Sequence, residues 1–190
     1  MKLGSRDAKN PKAVEWAEKN GAHASAGTFA DAASFGEVIL LATAWSGTPN
    51  AIELAGVGNF DGKVVIDAIN PLEYSRGAPP TLAIGTTDSA GETIQRLLPG
   101  AQVVKCFNIV GNPHMVNPSF AERKPDMFIC GNDEAAKKTV TTLCTELGWP
   151  GTVDIGGIIG ARYLEPMAMV WISYFFKTGN GNHALALLKK

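Results

Sequence analysis

Cysteine is scarce in this chain, and the few thiols present are far apart. Only three occur, at Cys106, Cys130 and Cys144, and no two of them form a Cys-x-x-Cys pair. No group of His, Cys, Asp or Glu residues has the spacing of a metal site. Because the start of the sequence also lacks the pattern of a secretion signal, we expect buried, reduced thiols and a cytoplasmic protein.

An excess of charge of either sign is also absent. The chain has 17 lysines and arginines against 18 aspartates and glutamates, a net charge of -1, without blocks of like charge. Binding to nucleic acid or to an anionic membrane surface therefore has no electrostatic basis. The longest apolar stretch, residues 167–176, is too short to span a bilayer. We expect neither a nucleic-acid partner nor a membrane partner.

What the sequence does contain is an alternation of short apolar runs with helix-like segments. Apolar residues make up 45% of the 190 residues, which suits one domain with a sizeable core. Continuous apolar runs of this kind are typical of strands buried on both faces. The runs are EVILLATAW (37–45), KVVIDAINP (63–71), AQVVKCFNIVG (101–111), DMFICG (126–131), GTVDIGG (151–157) and, more weakly, GAHASA (21–26). The alternation predicts an α/β fold with a doubly wound parallel sheet, which binds ligands outside the carboxyl ends of its strands.

Residues 161–190 have a different pattern. They predict one long apolar helix, a glycine-asparagine break and a short terminal helix. A helix this apolar is buried in the core or against a second subunit, and we expect a homodimer. The expected contact residues on this extension are Met167, Met169, Trp171 and Phe175.

The opening of the chain, Gly4-Ser5-Arg6-Asp7 followed by Lys9, has the composition of a phosphate-binding turn. A phosphate on the 2′ oxygen of adenosine favours a planar guanidinium, a hydroxyl donor and an ammonium group. Ser5, Arg6 and Lys9 supply these three groups. A cofactor without that phosphate would favour an acidic residue on the ribose, for which Asp7 is available, and a solvated loop is a further alternative.

Five segments carry a resemblance to a known family. They are LGSRDAKN, VILLATAW, VVIDAINPL, VVKCFNIVG…HMVNP and GARYLEPMAMVWI, in this order. Together they resemble the NADP oxidoreductase, coenzyme F420-dependent family over essentially the whole chain. The resemblance implies a Rossmann-like domain that transfers hydride between NADP(H) and a small-molecule acceptor, a deazaflavin (F420) or a flavin. It implies that Ser5 and Arg6, with Lys9 as a looser match, bind the 2′-phosphate.

The remaining candidate residues follow the predicted strands. We expect the cofactor to lie beside residues 42–45, namely Ala42, Thr43, Ala44 and Trp45, with Asn70 and Pro71 at its nicotinamide half. Phe107, Asn108 and Val110 resemble the family segment that faces the second substrate. The alternatives are strand-end packing for 42–45, a simple turn for Asn70-Pro71, and a core aromatic with a capping asparagine at 107–108. No catalytic acid or base is expected, because hydride transfer depends chiefly on alignment of the two carriers.

The family pattern also includes a segment that this sequence does not show. Members open with a strand, a Gly-x-Gly-x-x-Gly turn and a helix, roughly thirty residues that form one βα unit. GVGNFDG (56–62), GGIIG (156–160) and GNGN (179–182) do not replace that turn. Loss of a central strand is expected to expose two strand edges and open a slot in the core. The neighbouring strands could close the slot, a second copy could fill it, or the natural protein could be longer. The alternative function is therefore a truncated, non-catalytic, dimeric binding or structural module.

Overall fold

The structure is a computed structural model that describes residues 1–188. Its strands are β1 (Lys2–Ser5), β2 (Ser25–Thr28), β3 (Val38–Leu41), β4 (Val64–Asp67), β5 (Leu72–Glu73), β6 (Thr81–Leu82), β7 (Gln102–Lys105), β8 (Met127–Gly131) and β9 (Thr152–Asp154). Its helices are α1 (Pro11–Lys19), α2 (Phe29–Phe35), α3 (Thr48–Ala55), α4 (Ala90–Leu97), α5 (Glu134–Glu146) and α6 (Ala161–Thr178).

The main sheet has five strands in the order β3-β4-β7-β8-β9, and β1 and β2 form a separate parallel pair. Strands β3, β4 and β7 are parallel, and so are β8 and β9. The mostly parallel sheet confirms the predicted α/β class, but β8 runs antiparallel to β7. The β7–β8 pair is the antiparallel exception in this predicted sheet. The link between the two strands contains a 3-10 turn at residues 112–114 and no crossover helix, so the chain turns back beside β7.

Local signals explain where the helices begin. Asn10 caps α1 by accepting hydrogen bonds from the backbone amides of Lys12 and Ala13. Thr28 and Asp31 form a reciprocal capping box at the start of α2. Because α2 follows β2 without a linking residue, this box fixes the direction in which the helix leaves the strand.

The core lies on both faces of the main sheet, as a doubly wound fold requires. Alternate residues of the central strands point to opposite sides. Val65 and Val103 join one buried cluster with residues of α3, α4 and α6. Ile66 and Val104 join a second cluster, which is covered by α5. The central strands are therefore fixed from both faces, and their carboxyl ends form a rigid rim.

The C-terminal extension differs from its prediction. Helix α6 ends at Thr178, and Gly179 adopts a φ of 67°, a left-handed conformation that suits glycine. Residues 179–188 form no helix and run back along α6, where Trp171 Nε1 donates a hydrogen bond of 2.9 Å to the carbonyl of His183. The expectation of a short terminal helix is thus wrong up to residue 188, and its last two residues lie outside the described part. Within residues 1–188, no helix is long and apolar enough to cross a membrane.

Candidate functional site

The carboxyl ends of β1 and β3 meet at a common cavity. Arg6 directly follows β1, and Thr43 and Ala44 follow β3. The cavity has a volume of about 350 Å³ and is also lined by Phe29, Ser46, Gly47 and Ala51. The structure therefore brings together three of the residues assigned to the cofactor from the sequence.

The turn that carries Arg6 is held by its own side chains. Ser5 Oγ donates a hydrogen bond to the carbonyl of Asp7, and Asp7 Oδ1 accepts one of 2.9 Å from the backbone amide of Lys9. Asp7 is thus used within the turn, which weakens its alternative role as a ribose ligand. Arg6 is exposed, and its Nη2 lies so close to Gly47 that a Cβ there would sit 3.3 Å away. Among residues 1–188, Arg6 forms no ion pair of 4.0 Å or less. Its guanidinium is free to bind an anion.

The segment after β3 is fixed by two threonine hydroxyls. Thr48 is fully buried and its Oγ1 donates to the carbonyl of Ala44 over 3.1 Å. Because that hydroxyl has one proton, Thr43 Oγ1 is the donor in the 2.8 Å contact between the two hydroxyls. Ala42 and Ala44 are exposed, whereas Trp45 is half-buried against the first core cluster. At Trp45 the structure therefore supports strand-end packing, the alternative to a cofactor role.

Asn70 and Asn108, just after β4 and β7, are joined by two hydrogen bonds. Asn70 Nδ2 donates to the carbonyl of Asn108 over 2.7 Å, and Asn108 Nδ2 donates to Asn70 Oδ1 over 2.9 Å and to the carbonyl of Leu164 over 3.0 Å. The remaining atom, Asn108 Oδ1, is buried and accepts no hydrogen bond from the described residues. An unpaired buried acceptor of this kind costs about 1–3 kcal/mol. The surrounding protein thus leaves this acceptor unsatisfied.

The other predicted residues of these turns are buried. Phe107 and Val110 pack in the second core cluster, and Pro71 is also covered. Phe107 has a φ of 65°, and its backbone amide donates to Met127 Sδ over 3.3 Å. A non-glycine residue with positive φ is strained and must be held by its surroundings. The burial favours the core role at Phe107, which the sequence left open beside the substrate role, and it places Val110 in the core as well.

Sequence reasoning missed a buried ionic triad beneath the site. Lys105, the last residue of β7, is fully buried, and its Nζ lies 2.7 Å from Asp67 Oδ2 and 2.8 Å from Glu165 Oε1. Nζ also donates to the carbonyl of Ile69 over 2.6 Å. Burial alone would lower the pKa of Lys105, but the carboxylates of Asp67 and Glu165 outweigh it, so the pKa is raised and the ammonium stays charged.

The triad joins four elements of the fold. Asp67 ends β4 and is the register partner of Lys105 on β7. Glu165 projects from α6 and accepts hydrogen bonds of 3.0 Å from the backbone amides of Ala90 and Gly91, the first two residues of α4. These amides carry the positive end of the helix dipole, which balances the second carboxylate. The signal in the sequence was one charge of each sign inside two consecutive apolar runs, VVID and VVK.

With this geometry in view, comparisons with known proteins identify the family. The family profile described as NADP oxidoreductase, coenzyme F420-dependent, matches residues 3–71, which include Arg6, Thr43 and Asn70. A crystal structure of a protein described as an F420-dependent NADP-reductase, from Arthrobacter sp. FB24, is 36% identical and superposes with a TM-score of 0.93. That match covers 99% of this chain and 88% of the Arthrobacter chain. The chain belongs to the coenzyme F420-dependent NADP oxidoreductase family.

Two further relatives show how far the likeness extends. This member of the F420-dependent NADP oxidoreductase family is 29% identical, over 151 residues, to the F420-dependent NADP reductase of Methanocaldococcus jannaschii. The match covers 77% of this chain and 66% of the archaeal protein, so the chain spans just under two thirds of that relative's length. The reductive aminase of Aspergillus terreus is 16% identical with a TM-score of 0.60, and the match covers 94% of this chain and 54% of the aminase. At that identity the likeness shows the fold alone.

Proposed function

We propose that this chain transfers hydride between NADP(H) and a small-molecule acceptor, either the deazaflavin F420 or a flavin-like compound. The observation that carries the proposal is the cavity at the carboxyl ends of β1 and β3, which is lined by the unpaired guanidinium of Arg6. An open, unpaired arginine beside a cavity of this size suits a phosphorylated adenosine.

The adenosine end of the cofactor is proposed to bind at residues 5–9. Arg6 would bind the 2′-phosphate through two parallel N–H bonds, and Lys9 would add a second positive charge. The Ser5 hydroxyl lies in the same turn and can exchange its bond to the Asp7 carbonyl for one to the phosphate. Ala42, Thr43, Ala44 and Trp45 would border the rest of this half. With the Asp7 carboxylate used by the turn, the site favours NADP(H) over NAD(H).

The nicotinamide end is proposed to lie at Asn70, Pro71 and Asn108. Asn108 Oδ1 is the unpaired but buried acceptor there, and an amide group of the cofactor, a donor of matching chemistry, would reach it only when the turn opens. Asn70 holds the Asn108 amide in place through their paired hydrogen bonds. When bound, NADPH supplies the hydride. Asn108 would also border the acceptor, with Phe107 and Val110 shaping that turn from the core.

The buried triad is assigned a positioning role in this proposal. Lys105, Asp67 and Glu165 are almost wholly shielded from solvent, so none of them can exchange a proton with a bound substrate. Lys105 holds the carbonyl of Ile69, the residue directly before Asn70. The triad therefore fixes the position of the Asn70-Pro71 turn relative to the sheet. Hydride transfer requires such a fixed position, because the two carriers must be aligned.

Binding of the two nicotinamide cofactors to the Arg6→Ala variant tests the proposal. By titration calorimetry we expect NADPH affinity to fall roughly tenfold or more, because charge-assisted hydrogen bonds to the phosphate are lost, while NADH affinity is unchanged. Arg76→Ala, which removes an exposed arginine from the β5–β6 hairpin, is the matched control and is expected to change neither. Oxidation of NADPH by F420 or by FMN, followed at 340 nm, then identifies the acceptor.

The alternative is a dimeric, non-catalytic binding module. It is favoured by exposed apolar residues on one side of α6, where Tyr163, Val170 and Tyr174 follow each other at helical spacing. The dimer contact would then lie along this side, close to Met167, Met169, Trp171 and Phe175. A folded chain that binds neither NADPH nor NADH at millimolar concentration, and is a dimer by light scattering, would replace the oxidoreductase proposal with this one.

A further inference from the structure

Trp171 of α6 contacts the turn that follows β7. This turn, residues 107–111, is the one that the proposed function assigns to the acceptor. An added Cβ at Gly111 would lie 2.8 Å from Trp171 Cζ2 and 3.1 Å from its Cη2, so the indole comes this close only because glycine lacks a side chain. Leu164, about two helical turns before Trp171 on the same side of α6, accepts a hydrogen bond of 3.0 Å from Asn108 Nδ2. Helix α6 therefore contacts the turn at two points.

The turn needs support of this kind because its backbone is strained. Phe107 has a φ of 65°, a conformation that a residue other than glycine keeps only when its surroundings hold it there. The next residue, Asn108, carries the buried oxygen that accepts no hydrogen bond from the described residues. A displacement of the turn would therefore move the polar side chain that the proposed function places beside both carriers.

The segment after α6 fixes the indole of Trp171. The His183 ring stacks on the indole, with ring centroids 4.5 Å apart and an angle of 22° between the planes. Trp171 Nε1 also donates a hydrogen bond of 2.9 Å to the carbonyl of His183. The ring nitrogens of His183 lie 3.0 Å from the carbonyl of Asn180 and 3.1 Å from that of Trp171, so either tautomer can donate one of these bonds. The two aromatic side chains therefore hold each other in place.

The same segment is attached to the fold independently of the His183 ring. Leu185 packs against the first core cluster, and its carbonyl accepts a hydrogen bond of 3.1 Å from the backbone amide of Asp126. The backbone amide of Leu187 donates to Asp126 Oδ2 over 2.7 Å. A change of the His183 side chain alone should therefore loosen the indole without detaching the whole segment.

We propose that Trp171, held in place by His183, is a positioning residue for hydride transfer. It limits the movement of the 107–111 turn, so that Asn108 stays where alignment of the two carriers requires it. Trp171 acts through Gly111 in this role and does not need to touch either carrier. Its effect on turnover rests on the proposed function, whereas its effect on the mobility of the turn does not.

Amide hydrogen exchange in the chain without cofactor tests whether Trp171 holds the turn. The reporters are the amides of Phe107 and His114, which donate to Met127 Sδ over 3.3 Å and to the carbonyl of Gly111 over 2.9 Å. In His183→Ala the stacked ring is lost, and exchange of both amides should become roughly three- to tenfold faster, the range that one aromatic pair contributes.

Two variants serve as references for this measurement. His183→Phe keeps a ring in the stack and should restore most of the slow exchange. His23→Ala removes an exposed histidine from the turn of residues 21–23 and should leave the exchange of both reporters unchanged. Circular dichroism checks that each variant folds.

Turnover separates a positioning role from a merely structural one. With FMN or F420 as the acceptor, kcat for NADPH oxidation should fall roughly tenfold in His183→Ala and recover in His183→Phe, because hydride transfer is sensitive to small displacements. The affinity for NADPH should not fall by more than about twofold, since the proposed phosphate contact at Arg6 is unchanged. Gly111→Ala displaces the indole from the other side and should act in the same direction as His183→Ala.

Three outcomes would overturn the proposal. They are unchanged exchange of the two reporters in a folded His183→Ala variant, faster exchange without any loss of kcat, and an equal response in His23→Ala, which would indicate a general loosening of the fold. If the unchanged chain neither binds nor oxidises NADPH, the proposed function fails, and the exchange comparison alone then decides whether Trp171 holds the turn.

Discussion

Replacing Lys105 by methionine should strongly destabilise the fold. Methionine keeps most of the apolar stem, so little volume is lost, but the charge that balances Asp67 and Glu165 disappears. Removing one partner of a buried ion pair costs about 3–5 kcal/mol, because the remaining charge stays buried without compensation. Here two carboxylates and the carbonyl of Ile69 are left behind. We expect the free energy of unfolding to fall by about 4 kcal/mol, a large part of the 5–15 kcal/mol typical of a domain.

Lys137→Met provides the matched control. Lys137 also pairs with two carboxylates, at 2.7 Å from Glu134 and 2.6 Å from Asp154. Those carboxylates are 85% and 41% exposed, so water solvates them when the lysine is removed. The expected loss is about 1 kcal/mol or less. Guanidinium unfolding followed by circular dichroism measures both variants, and equal losses would refute the argument from burial.

The pH dependence separates an electrostatic cause from a packing cause. In the unchanged protein the pKa of Lys105 is raised above its ordinary value of 10.5, so its contribution is fully present below that pH and is lost only as the pH rises through the folded value. The stability difference between the unchanged protein and Lys105→Met should therefore stay constant from pH 7 to pH 9 and shrink as the pH rises above 10.5. A difference that does not shrink at high pH would indicate lost packing instead.

Two further predictions concern the core. Gly91→Ala would place a Cβ 2.8 Å from the Cβ of Ala161, so α4 and α6 must separate. The free energy of unfolding should therefore fall by about 1–3 kcal/mol. In the control variant Gly58→Ala the new Cβ meets no atom within 4 Å, and the loss should be less than about 1 kcal/mol. The thiols should not react with a disulfide reagent at pH 8 before denaturation, because all three cysteines are buried. Burial also raises the pKa of Cys130 to about 12. After denaturation, three thiols per chain should react, and rapid labelling of the native protein would contradict the buried arrangement.

Hydrophobic pattern was enough to predict most of the elements. The apolar runs 37–45, 63–71 and 101–111 contain β3, β4 and β7. Pattern could not give the direction of β8, because direction depends on whether the link crosses the sheet and not on the strand itself. It also failed at residues 179–188, where stacking of His183 on Trp171, with ring centroids 4.5 Å apart, fixes the tail in place of a helix.

Only part of the candidate site follows from the sequence pattern. Residues 6, 43 and 44 share a cavity because parallel strands end on one rim, a property of the fold class. The Asp67–Lys105 pair requires the strand register, which pairs residues 38 positions apart and is not visible in either run alone. The same holds for Asn70 and Asn108, which follow neighbouring strands and are joined by two hydrogen bonds. Opposite charges at the ends of two consecutive apolar runs are the one signal that pattern analysis could have used.

The two ends of the proposed cofactor site are held by different parts of the fold. The Asn108 end belongs to the five-stranded sheet and is fixed by the triad and by the Leu164 carbonyl of α6. Arg6 follows the separate β1–β2 pair, which reaches the rest of the fold chiefly through α2 packed on α3. No backbone hydrogen bond joins β1 to β3 in the described residues, so the separation of the two ends depends on this helix contact. A cofactor that binds both ends would hold the β1–β2 pair against the five-stranded sheet. Because linked equilibria are reciprocal, the helix contact and the bound cofactor should stabilise each other by the same free energy.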